Sequence, residues 1–136
     1  MSEPIPADLL QAACDARRQA HAPYSNFKVG AAVRAIDGRI FAGCNLESAA
    51  YPLSVCAERN ALAAAVIAGV RHILEVVVVV DAPKPAAPCG GCRQVIAEFA
   101  DGDCRIHAAN LSDETQSFTH TLDELLPSRF DPEDLP

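Results

Sequence analysis

The chain has 136 residues, half of them apolar and 21 % charged, which sets one domain spanning residues 1–136, built on a modest core, as the expectation. A formal net charge of -7 and a pI near 4.9 argue against a nucleic-acid groove lined with clustered Lys and Arg, and against docking on an anionic membrane. The opening MSEPIPADLL has no basic stretch followed by an apolar run, and the apolar run at 76–80 is too short to cross a bilayer. The expected compartment is therefore the reducing cytoplasm. There a disulfide framework among Cys14, Cys44, Cys56, Cys89, Cys92 and Cys104 is not expected, and a close cysteine pair binds metal or does redox chemistry.

In chain order, PADLLQAACDARRQA at 6–20 places Leu9, Leu10, Ala13 and Cys14 on one helical face. Two apolar strand-like runs then flank Asp37-Gly38, the signature of a hairpin. CAERNALAAAVIAGV is an alanine-rich helix with Gly69 as its C-terminal stop. EVVVVV at 75–80 is an unbroken β-branched strand of the kind covered on both faces. After the Pro-rich stretch 82–88, GCRQVIAEFA predicts a third helix, CRIHAAN at 104–110 a strand, QSFTHT at 116–121 another, and LDELLP a last helical turn. The connection between the last two strands is too short for a parallel crossover, so they are predicted to be antiparallel. The order α-β-β-α-β-α-β-β predicts an α/β fold with a mixed sheet between helices on both faces.

Cys56 opens the second helix, and Cys89 and Cys92 lie at the start of the third, so both helix N-termini can meet beside one end of the sheet, where ligands bind in such folds. Taken alone, CGGC fits a structural zinc site, a redox pair or a tight turn. Cys56 alone fits a buried cysteine, and Glu58 alone a solvated first-turn acid. Together they supply three thiolates and, two residues beyond Cys56, an acid able to pass protons beside a fourth, open position. That combination favours catalysis over a closed structural site. Three thiolates leave a dication over-neutralised. The helix N-termini can offset this, as can Arg59 and Arg93, each one residue past a motif residue and each a candidate donor to sulfur. Cys14, Cys44 and Cys104 sit in apolar contexts and are expected in the core. His21, His72, His107 and His120 have no ligand-like spacing.

The segments PYSNFKVGAAV, GCNLESAAY, CAERNAL, PCGGCRQ and LLPSRFDPEDL cover nearly the whole chain. They resemble the cytidine deaminases of the small, three-cysteine, homotetrameric kind, whose zinc signature couples Cys-x-Glu with Pro-Cys-x-x-Cys. The resemblance implies a three-layer α/β/α fold with a five-stranded mixed sheet. It also implies one zinc ion per subunit on Cys56, Cys89 and Cys92, with Glu58 as proton shuttle. Asn45 and Glu47 would bind the ribose hydroxyls, Phe27 would pack on the pyrimidine, and the Ala57 backbone would hold the base carbonyl. Arg59 would offset the third thiolate. Tyr51 and Phe130 would reach a neighbouring subunit's site, or serve as interface or core aromatics. For Phe27 the alternative is core packing within a strand; for Asn45 and Glu47 it is a turn residue and a surface acid. The family usually reads Asn-x-Glu-Asn-Ala where this chain has Ser48 after Glu47, which changes the hydrogen bonding available to that loop. The implied reaction is hydrolytic deamination of cytidine and 2′-deoxycytidine within pyrimidine salvage. The alternatives are another free aminopyrimidine, such as blasticidin S or a 4-substituted cytosine nucleoside, and a zinc-stabilised binding module without catalysis.

Overall fold

The computed structural model describes residues 3–136. Helix α1 (Ala7–Arg17) leads into the antiparallel hairpin β1 (Gly30–Ala35) and β2 (Ile40–Cys44). Helix α2 (Ala57–Ile67), strand β3 (Ile73–Val80), helix α3 (Gly90–Phe99), strands β4 (Ala100–Asn110) and β5 (Phe118–Thr121) and the short helix α4 (Leu122–Leu125) follow. The strands form one five-stranded sheet in the order β2-β1-β3-β4-β5. β3 and β4 are parallel, joined through α3, and the other neighbours are antiparallel. The mixed sheet, the hairpin and the antiparallel final pair agree with the sequence reading. Gly38 and Gly69, both at φ 93°, close the hairpin and the end of α2, where a left-handed conformation excludes most side chains.

Alternation along the strands divides the core in two. One face of the sheet carries Ala31, Val33, Val76, Val78, Cys104 and Ile106, packed against Ala61, Leu62 and Ala65 of α2, Ile96 of α3 and Leu122 of α4. The opposite face carries Ala32, Val77, Val79 and Ala109 beneath Leu9 and Ala13 of α1. The result is three layers, α/β/α, and β3 is buried on both sides, as its run of five valines predicts.

The expectation of three core cysteines is met only by Cys104. Cys14, within α1, is half-buried and packs against the Leu9 and Ala13 cluster from its edge, and Cys44, the last residue of β2, is also half-buried. His107 is fully buried on the α1 face. Its ring nitrogens contact Glu75 Oε2 at 2.6 Å and Thr119 Oγ1 at 2.7 Å, so it is a satisfied buried histidine belonging to the sheet.

Candidate active site

Cys56 is the N-cap of α2 and Cys89 the N-cap of α3, and neither uses its side chain to cap the helix. Their thiols are therefore free to face each other across the two helix N-termini, whose exposed N–H groups favour negative charge. Cys92, one turn into α3, completes the cluster: the Sγ atoms of Cys56, Cys89 and Cys92 all lie within 4.8 Å of one another. Among the described residues, this group of potential metal ligands has these three members and no fourth. Three soft sulfur donors at this separation fit a zinc ion, which takes tetrahedral thiolate sets.

The charges follow from the contacts. The Cys56 thiol is brought down to about 5, chiefly by its hydrogen bond with Cys92 and further by the Arg59 guanidinium, against the opposing effect of burial. The Cys92 thiol is pushed far up by the same contact with Cys56 and by its burial, so without a metal this pair shares its charge unequally. Cys89 and Cys92 sulfurs are 3.4 Å apart. Arg59 Nη2 donates to Cys56 Sγ at 3.7 Å, as the charge argument requires.

Arg93 does not do the same. Its Nε donates to the Pro88 carbonyl at 2.7 Å and its Nη1 to the Leu125 carbonyl at 2.8 Å, so the expected contact with sulfur is replaced by two backbone contacts. The α3 register turns the side chain away from the sulfurs, toward the loop before the helix and toward α4.

Glu58 is only 4 % exposed, and burial pushes its carboxyl pKa up. It shares a cavity of about 240 Å³ with Cys56, Cys89, Ala57, Asn45 and Phe27. The walls of that cavity also include Val29, Val78, Ala86 and Ala87. The Pro-rich entry to α3 and the valine run mark these elements in the sequence, but nothing local shows that they line a site. Phe27 is not a core strand residue: β1 begins only at Gly30, and the Phe27 side chain is 41 % exposed beside the cavity. Asn26, at φ 58°, turns the chain just before it.

Asn45 and Glu47 hold this segment. Asn45 Oδ1 accepts from the Val29 N–H at 2.9 Å, and Nδ2 donates to the Phe27 carbonyl at 2.8 Å. Glu47 Oε1 accepts from the N–H groups of Tyr24 and Ser25 at 3.0 and 3.1 Å, while Oε2 accepts from the Ser25 hydroxyl. That hydroxyl contact, with the two amides, holds the Glu47 carboxyl below its usual range. Ser48 satisfies its loop in its own way: its N–H donates to Ser54 Oγ, and its Oγ accepts from the Ala50 N–H.

Tyr51 and Phe130 are not brought into the Glu58 cavity of their own chain. Tyr51 is 69 % exposed and packs edge-to-face on Tyr24, beside a cleft that also touches Glu47. Phe130 lies along α3, its carbonyl accepting from Gln94 Nε2 at 2.8 Å.

A two-faced α/β sheet with three thiols and a buried acid at the paired helix N-termini defines a metal-dependent hydrolase class of site. Residues 5–108 match the family model described as the cytidine and deoxycytidylate deaminase zinc-binding region, and the chain belongs to that family. It is 48 % identical over 120 residues to a cytidine deaminase of Sporosarcina psychrophila, covering 88 % of this chain and 87 % of that one. A cytidine deaminase of Halalkalibacterium halodurans is 43 % identical over 93 % of this chain and 95 % of its own. The crystal structure of cytidine deaminase from Burkholderia pseudomallei superposes with a TM-score of 0.86 at 42 % identity, covering 93 % of this chain and all of that one.

Proposed function

We propose that the chain, as one deaminase domain over residues 1–136, hydrolyses cytidine and 2′-deoxycytidine to the corresponding uridines with release of ammonia. The observation that carries this reading is the buried Glu58 in one cavity with Cys56 and Cys89, two members of a three-cysteine cluster completed by Cys92. Cys56, Cys89 and Cys92 would hold one zinc ion per subunit, and when bound the ion supplies Lewis acidity that makes water a nucleophile near neutral pH.

The remaining work falls to the chain's own groups. Glu58 takes a proton from the attacking water and delivers it to N3 of the ring, then carries a second proton to the amine leaving C4. Its burial, which favours the protonated carboxyl, suits it to both transfers. Proton transfer of this kind contributes roughly 10²–10⁴-fold. The Phe27 ring flanks the pyrimidine, and the Ala57 backbone, at the α2 N-terminus, offers a donor to the base carbonyl. Asn45 lines the Glu58 cavity and Glu47 borders the cleft beside Tyr24; both would meet the ribose hydroxyls, held in place by their contacts with residues 24–29. The exposure of Tyr51 and Phe130 suits contribution to a neighbouring subunit's site in a homotetramer. A pyrimidine-salvage role in the cytoplasm follows from the same reading. No helix among the described residues is long and apolar enough to cross a membrane.

The test is the fall in ultraviolet absorbance when cytidine is added to the zinc-loaded protein. Turnover should disappear with a strong chelator and return with zinc. Glu58→Gln should bind zinc and fold normally yet lose nearly all turnover; full activity in that variant would overturn the assignment.

A further inference from the structure

The two residues that follow Cys92 both reach the C-terminal part of the chain. Arg93 donates to the carbonyls of Pro88 and Leu125, and Gln94 donates to the carbonyl of Phe130. Pro88 ends a stretch, 81–88, without helix or strand, and α3 begins immediately after Cys89. The Pro88 carbonyl shares a peptide plane with the Cys89 nitrogen, so fixing that oxygen fixes the plane from which the Cys89 side chain departs. Leu125 is the last residue of α4, and beyond it the chain has little backbone pairing of its own before the turn at Pro132–Asp134. That stretch is tied down by side chains, namely Arg93 and Gln94 from α3 and Arg129, which pairs with Asp123 at 2.6 Å.

We propose that Arg93 is a positioning residue: its guanidinium holds the Cys89 turn in register with the C-terminal segment, so that loosening one loosens the other. The inference rests on the reading of Cys89 as a zinc ligand for its consequence, though not for its geometry. A guanidinium suits the task because its donors lie in one rigid plane, so two carbonyls from distant parts of the chain are held in a set relation. A lysine ammonium is a point donor on a flexible stem and has no such plane. Gln94 touches only the C-terminal segment, which makes it the natural control.

The experiment compares wild type, Arg93→Ala, Arg93→Lys and Gln94→Ala as zinc-loaded protein. It reads the rate of zinc release to a chromogenic chelator and the amide hydrogen exchange of residues 86–93 and 126–135. Arg93→Ala should release zinc about ten- to hundredfold faster, the usual effect of removing a group that orients a ligand. Its exchange should rise in both segments together while β1 and β3 keep wild-type protection. Arg93→Lys should restore at most one of the two segments, and it decides the matter if the alanine variant does not fold. Gln94→Ala should raise exchange near Phe130 and leave zinc release unchanged. Wild-type zinc release and exchange in Arg93→Ala, or full restoration of both segments by lysine, would overturn the proposal. A wild-type chain that bound no zinc and left cytidine intact would instead overturn the proposed function, and the paired exchange change would still decide the coupling.

Discussion

Arg59 Nη2 donates to Cys56 Sγ across 3.7 Å, placing a cation against the thiol at the N-cap of the same helix. Residues three apart on a helix lie on one face, so this contact is made within α2 and needs no partner from elsewhere in the fold. Arg59 Nε, by contrast, is buried without a hydrogen-bond partner among the described residues, so the side chain meets its polar demand mainly at the sulfur.

Replacing Arg59 by Gln should leave the three sulfurs and zinc binding in place. It should also lower kcat/KM for cytidine by roughly ten- to hundredfold, the range for a lost charge-assisted hydrogen bond. In the metal-free protein, the Cys56 thiol, which Arg59 helps Cys92 bring down to about 5, should titrate higher in the variant than in wild type, read by thiolate ultraviolet absorbance. An unchanged titration would show that the contact with Cys92 alone sets that thiol.

Gly43 of β2 sits where the backbone of α2 passes close to the sheet. A Cβ there would lie 2.4 Å from the Ala61 nitrogen and 2.8 Å from the Ala57 carbonyl oxygen. Those atoms belong to the backbone of the helix that carries Glu58, so they cannot yield without moving the site. Gly43→Ala should lower the melting temperature by roughly 5–15 °C, in keeping with overpacking of a tight interface. Gly91→Ala is the control, since a Cβ at that position meets nothing within 4 Å. A Gly43→Ala protein melting with wild type would show that α2 has room to retreat.

Cys104 is 2 % exposed, and burial, reinforced by the negative charges of Glu75, Asp103 and Asp101, pushes its thiol from 9.0 up to about 12. Below pH 9 the thiol is protonated in both folded and unfolded chains, and the stability associated with it is fully present. Between about pH 9 and pH 12 the unfolded chain gives up the proton while the folded one keeps it, so stability falls as pH rises, by at most about 1.4 kcal/mol per pH unit. Cys104→Ala loses packing at every pH but removes this dependence. The stability gap between wild type and Cys104→Ala, measured by denaturant unfolding, should therefore narrow from pH 8.5 to pH 10.5 (about one to two units around the free thiol value). A constant gap would count against it.

Much of this site is visible in the chain's order of residues, because its chemistry is local to two helix starts. Cys56 and Glu58 fall within one turn, as do Cys89 and Cys92, and the strand alternation shows which residues enter each half of the core. The hairpin at Gly38 and the antiparallel end of the sheet are equally legible, since a left-handed turn and a short connection each admit few geometries. Phe27 is less so: its apolar neighbours continue a strand pattern, but Asn45 and Glu47 use the backbone groups of residues 24–29, and the strand begins three residues later.

The residue pattern therefore marked the three-cysteine cluster, the acid beside it and the helices that carry them. Tertiary structure decided where the long side chains go. Arg59 finds a sulfur one turn away on its own helix, whereas Arg93 meets carbonyls of Pro88 and Leu125, and Phe130 is held along α3 by Gln94. The physical reason is reach. A short side chain at a helix N-cap points where the backbone directs it, but a guanidinium several bonds from its backbone goes to whichever acceptors the fold brings near, and those come from segments remote in the chain.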